Sequence, residues 1–136
     1  MMDITRRLAS FAAELSYQDL PKDVVERTKR LILDVTGIIV RARHDAQSTQ
    51  SLIAAVEKLG LVGGSCSVMG DDSYYAPPAA ALVNGTLAHS LDFDDTHAEG
   101  SLHSSAPIVP AAISAAEMVD ASGKDLIAAC VAGYEI

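Results

Sequence analysis

The chain has 136 residues and a mass of 14.2 kDa, with 49% hydrophobic and 21% charged residues, which suits one domain and excludes a disordered chain. Its formal charge of −8 is uneven: residues 1–60 hold nine Lys/Arg and eight Asp/Glu, whereas residues 61–136 hold ten Asp/Glu against Lys124 alone. An acidic half with one cation repels phosphate backbones and excludes nucleic acid as a partner, and no apolar run approaches the ~20 residues that cross a bilayer.

Aromatic residues make up only 4% of the chain while alanine occurs 22 times, so the core is built from Ala, Leu, Ile and Val. That composition predicts closely packed helices, an all-α fold. Ile4, Leu8, Phe11, Ala12 and Leu15 recur on one helix face, with Asp3 as the cap. Pro21 suits a first helical turn and opens a longer helix with the stripe Val24, Thr28, Leu31, Val35 and Ile38/Ile39, reaching about Ala42. Asp45 to Thr49 reads as a loop and cap before a short helix through Leu52, Ile53, Val56 and Leu59, stopped by Gly60. From Leu61 to Tyr75 glycines and serines break any period, with Ser65 to Met69 as a short extended piece.

Pro77 and Pro78 start an Ala-rich helix through Leu82, Val83 and Leu87. Asp92 to Ser105 is polar and aperiodic, a loop of functional length. Pro107 opens the next helix, with Ile108, Ala112, Ala115/Ala116 and Val119 inward and Gly123 at its end. Ser122 to Asp125 resembles a capping box for a last helix, Leu126 to Ile136. That apolar stripe stops without glycine, proline or a basic turn. The reading expects Leu126, Ile127, Val131 and Ile136 to lack a matching element, residues 1–136 to be an incomplete domain, and this piece alone to be inactive. Cys66 and Cys130 make no disulfide framework, and Asp3, Thr5, Arg6 and Arg7 lead into an amphipathic pattern. A soluble, cytoplasmic protein is therefore expected.

Chemistry concentrates between His89 and Ser105, where three of the four histidines and four of the eighteen acids lie. If the Pro78 helix continued past Ser90, His89, Asp92 and Thr96 would share a face. Imidazole beside carboxylates suits proton transfer near neutral pH. The plainer reading is a solvated loop whose carboxylates cap backbone amides. Asp92, Asp94, Asp95, His97, Glu99 and His103 also offer metal ligands, but their spacing matches neither a His-Glu-x-x-His helix nor an EF-hand loop. No metal is assigned.

The run Asn84-Gly85-Thr86-Leu87-Ala88-His89-Ser90-Leu91-Asp92-Phe93-Asp94-Asp95-Thr96, followed by His103 and Pro107-Ile108-Val109-Pro110-Ala111-Ala112, closely resembles the MmgE/PrpD family. Leu8-Ala9, Leu20-Pro21 and Leu33-Asp34-Val35-Thr36-Gly37 extend the likeness over essentially the whole chain. The family includes 2-methylcitrate dehydratase, cis-aconitate decarboxylase and iminodisuccinate epimerase. The resemblance implies an N-terminal all-helical domain, 1–136 here, with a smaller α/β domain following in whole members and the active site between the two. It also implies a homodimer that works without a metal or organic cofactor on a small polycarboxylate.

By position, Asp92, Thr96 and His103 match residues implicated in the family's site, while His89, Asp94 and Asp95 match as support for the loop. Many members carry His-Pro-Gly or His-Pro-Ser where this chain has His103-Ser104-Ser105, which leaves substrate choice open. Ser105 reads as a cap of the Pro107 helix. The reactions implied share proton transfer next to a carboxylate: dehydration, decarboxylation or epimerisation. His103 is the expected acid/base, Asp92 would orient a histidine or hold a substrate hydroxyl, and Thr96 would donate to a substrate carboxylate or cap the loop. The cations for a polycarboxylate are expected from beyond residue 136. Two other readings are a metal-dependent hydrolase built on the Asp/His loop and a non-catalytic helical interaction module.

Overall fold

A computed structural model describes residues 3–136, so the first two residues of the expected 1–136 domain lie outside the described part. Six α-helices are present among the described residues: α1 Ile4–Glu14, α2 Lys22–Asp45, α3 Thr49–Lys58, α4 Pro77–His89, α5 Ser105–Val119 and α6 Gly123–Glu135. A two-stranded antiparallel ribbon, β1 Val62–Ser67 and β2 Tyr74–Tyr75, lies between α3 and α4 in the chain. The fold is all-α with this one small hairpin. No helix among the described residues is long and apolar enough to cross a membrane.

The central helix is α4, which packs against α2, α3, α5 and both strands. It buries Ala79, Ala80, Val83, Asn84, Leu87 and Ala88, so small side chains let its neighbours approach from several sides. At Gly85 an added Cβ would sit 3.4 Å from the Ala106 carbonyl oxygen, and glycine there lets α4 and α5 pack closely. Val35 and Ile39 of α2, Val56 of α3, Tyr75 of β2 and Val109 of α5 complete the core around α4. α1 is capped as expected, Asp3 accepting from the Thr5 amide, yet it buries none of its residues.

Among the polar residues buried in the described part, Asn84 is fully enclosed. Its Nδ2 donates to the Ser67 carbonyl at 2.9 Å, and its Oδ1 accepts from the Met69 amide at 3.0 Å. One buried side chain thus satisfies two backbone groups where β1 ends and ties the hairpin to α4. The hairpin carries a bulge, because Val62 and Cys66 both oppose Tyr75. A Cβ on Gly64 would lie 2.2 Å from the Tyr75 carbonyl oxygen, so the bulge requires glycine there.

Three details differ from the periodicity. α5 starts at Ser105, not Pro107, and buries Ala106, Val109, Pro110 and Ser114 instead of the expected stripe, leaving Val119 66% exposed. An Ala-rich helix has no sharp apolar stripe, so its neighbours choose the inward face. α5 ends at Asp120, whose φ of 52° is left-handed, whereas Gly123 opens α6 under the Ser122–Asp125 capping box. In α6, Ile127 and Val131 are buried within the chain, contrary to the expectation that they lack a matching element; Ile136 is exposed.

Candidate active site

α4 stops at His89, and the chain turns away through a loop that returns at Ser105. Asp92 has a left-handed φ of 56°, and its amide donates to the His89 carbonyl at 3.1 Å. The helix does not continue past Ser90, as the loop reading expects, so His89, Asp92 and Thr96 share no helical face. The turn instead folds the loop back over the end of α4.

The centre of this fold-back is Asp94, whose side chain is fully buried. Its two oxygens each lie 3.0 Å from His89 Nδ1, and Oδ2 lies 3.3 Å from His103 Nδ1. The His89 and His103 rings meet edge to face, 4.6 Å between centroids. His103 Nδ1 is itself buried and makes no hydrogen bond that meets good geometry, so the carboxylate is its nearest polar neighbour at ion-pair range. A carboxylate facing Nδ1 favours the tautomer that carries its proton there, which leaves Nε2 of each neutral ring as the acceptor.

Asp95 has a different task. Its Oδ1 accepts from the Ser105 amide at 3.0 Å and caps the start of α5. The Ser105 side chain, expected to be that cap, turns instead to the Tyr134 hydroxyl of α6. His97 is engaged in a tight turn: its Nδ1 accepts from the Gly100 amide at 2.9 Å, and its backbone pairs with Leu102.

Beside the two histidines lies an open cleft of about 770 Å³ between α4 and α5, walled by Leu82, Thr86, Leu102, Pro107 and Ala111. His89 and His103 line it, and among the described residues no Lys or Arg does. Lys124, the single cation of the acidic half, lies over the Tyr17 ring at 5.4 Å. Of the residues singled out in the sequence, His103 reaches the cleft; Asp92 is exposed but stands in one cluster with His89, Asp94 and His103, their potential ligand atoms all within 4.8 Å. Thr96 is exposed and belongs neither to that cluster nor to the cleft wall. Two nitrogens and two carboxylate oxygens that close form a donor set a divalent ion could use, but direct His–Asp hydrogen bonds already occupy His89 Nδ1 and Asp94.

The arrangement gives five positions of the Asn-Gly-x-x-x-His-x-x-Asp-x-Asp-Asp-Thr run a structural role. Asn84 ties the hairpin, Gly85 admits α5, His89 and Asp94 pair, and Asp95 caps α5. The same chain matches the MmgE/PrpD N-terminal domain over residues 6–136. It belongs to the MmgE/PrpD family.

This MmgE/PrpD domain is 34% identical over 140 residues to cis-aconitate decarboxylase-like protein oryM of Aspergillus oryzae, covering 98% of the chain and 29% of that protein. It is 32% identical to the cis-aconitate decarboxylase of Aspergillus terreus, over 97% of the chain and 28% of the relative. The human cis-aconitate decarboxylase is likewise 32% identical, over 100% of the chain and 29% of its own length. The MmgE/PrpD domain thus spans less than a third of the length of these curated relatives. By sequence position Asp94 matches only as support for the loop; its burial between two imidazoles is set by the loop's return path, for which local periodicity carries no signal.

Proposed function

We propose that this MmgE/PrpD domain supplies the histidine side of the active site of a lyase that decarboxylates a small unsaturated polycarboxylate, cis-aconitate or a close analogue. The observation that carries the reading is the cleft-lining His103 held at 3.3 Å from the buried Asp94 carboxylate, in a chain whose relatives bear the name cis-aconitate decarboxylase. Loss of CO2 breaks a C–C bond and leaves its electron pair on carbon, conjugated through the alkene toward a remaining carboxylate. Protonation of that carbon completes the reaction. His103 delivers the proton from Nε2, and Asp94 offsets the charge of the imidazolium formed when the ring is reloaded. Asp92 orients the histidine pair or the substrate; Thr96, outside the cleft wall, would meet a substrate carboxylate only where further polypeptide extends the site.

This chemistry needs no metal or organic cofactor. It does need cations for the substrate's carboxylates, and the cleft wall has none. We assign those cations to polypeptide outside the residues described, in keeping with relatives more than three times as long. Homodimerisation is carried over from the family resemblance, and a cytoplasmic setting from the two free buried thiols, Cys66 and Cys130. Dehydration of a hydroxy-tricarboxylate and epimerisation use the same acid/base and are the neighbouring reactions to assay.

A metal-dependent hydrolase is the second reading, favoured by the cluster of His89, Asp92, Asp94 and His103. The deciding assay is CO2 release from cis-aconitate by the whole enzyme before and after EDTA. Turnover that survives EDTA supports the lyase reading, and turnover restored only by a divalent ion supports the metal reading. No turnover of any unsaturated or hydroxy polycarboxylate would sink the proposal and favour a non-catalytic helical module.

A further inference from the structure

α6 contributes nothing to the wall of the cleft, yet its last turn reaches the loop that builds the site. The Tyr134 hydroxyl shares a hydrogen bond with the Ser105 hydroxyl. Ser105 is buried, begins α5 and follows His103 by two positions. Its amide is held by Asp95 at 3.0 Å, and Asp95 adjoins the Asp94 that faces both imidazoles. One serine therefore joins three things: the C-terminal turn of α6, the start of α5, and the acidic segment of the loop.

The two ends of the His103–Asp94 contact lie on either side of this junction, and the contact is already long at 3.3 Å. At that range a small further shift takes the pair out of hydrogen-bonding reach. A drift of α5 away from α6 would carry His103 with Ser105, while Asp94 remained tied to His89. The geometry of the acid/base pair is thus set partly by a hydroxyl that touches neither member.

We propose that Tyr134 is a positioning residue for the His103–Asp94 pair, acting through Ser105 and Asp95. The inference rests on the acid/base reading of His103 given above. Tyr134→Phe removes the hydroxyl and keeps the ring. In the whole enzyme it should lower kcat by about 10- to 100-fold, the scale of a sub-ångström to 1 Å misplacement, with KM within about twofold. The alkaline limb of the kcat–pH profile, where a proton donor is lost, should move, because the imidazole then sits differently against the Asp94 carboxylate. Ser105→Ala should give the same loss, and the double variant no more than either alone, as expected of residues in one chain of contacts.

A readout independent of turnover separates this inference from the reading beneath it. The imidazole resonances of His103, assigned by their loss in His103→Asn, should shift in Tyr134→Phe. A lowered melting temperature with unchanged kcat, pH profile and His103 resonances would reduce Tyr134 to a packing residue and overturn the proposal. If His103→Asn retained full turnover, the acid/base reading would fall, while the resonance shift would still decide whether Tyr134 positions the ring.

Discussion

His103 Nδ1 stands 3.3 Å from Asp94 Oδ2, and the same carboxylate takes His89 Nδ1 at 3.0 Å. One buried acid thus addresses two imidazoles, of which His89 is the more exposed.

If His103 moves the proton, His103→Asn should reduce kcat on cis-aconitate by about 10²–10⁴-fold, the usual worth of a positioned general acid/base. The side chain is partly exposed, so the melting temperature should hardly change. Wild-type turnover in this variant would remove His103 from the mechanism.

Asp92 and Asp95 should fail in opposite ways. Asp92 is exposed in the histidine cluster, so Asp92→Asn should lose activity at unchanged stability. Asp95 caps α5, so Asp95→Ala should cost about 0.5–2 kcal/mol in denaturant unfolding. The reverse pattern would show the two roles to be exchanged.

Asn84→Leu keeps the volume near α4 but leaves the Ser67 carbonyl and the Met69 amide without their partner. A buried polar group left unpaired costs about 1–3 kcal/mol, so the loss should exceed about 2 kcal/mol. Unfolding by urea measures it, and a loss below 1 kcal/mol, roughly, would mean that water replaces the side chain.

Acid should weaken the clasp between α2 and the β1–β2 turn. Burial opposes ionisation of Asp71, but the Ser73 amide, the Arg43 guanidinium at 2.8 Å and the Tyr75 hydroxyl outweigh it and hold the carboxyl below its ordinary value. A carboxyl depressed on folding contributes stability that is complete above its unfolded pKa, about 3.9, and is lost as pH falls through the lower folded value. Arg43→Met should therefore lose less stability than wild type between about pH 5 and pH 3. Equal losses in the two proteins would show that the clasp contributes nothing.

Burial pushes the Cys130 thiol up to about 11. At pH 8 only about 0.1% of it would be thiolate, so iodoacetamide should leave Cys130 unlabelled in the native protein and label it after unfolding. Peptide mass spectrometry reads this directly, and fast native labelling would place Cys130 at a site that opens.

The sequence by itself determined the helices that carry strong local signals. α2 runs from its proline start, α3 ends before Gly60, whose φ is 69°, and α6 opens on the Ser122–Asp125 box, because caps and breakers act within a few residues. The polar loop between α4 and α5 was equally legible, since a run of acids and histidines has no apolar face to bury. Tertiary structure decided the rest. Ala-rich α5 has no single stripe, so contact with α4 and α6 turned Val109 inward and left Val119 in solvent. β2 is two residues long and exists only because the bulged β1 pairs with it. Which acid would meet the histidines could not be read from spacing either. Asp92, Asp94 and Asp95 are near neighbours in the chain, and the left-handed turn at Asp92 sends Asp94 into the interior while Asp95 goes to α5. The hydroxyl pair of Ser105 and Tyr134 joins residues 29 positions apart, a separation at which local pattern carries no information and the packing of α6 on α5 sets the contact.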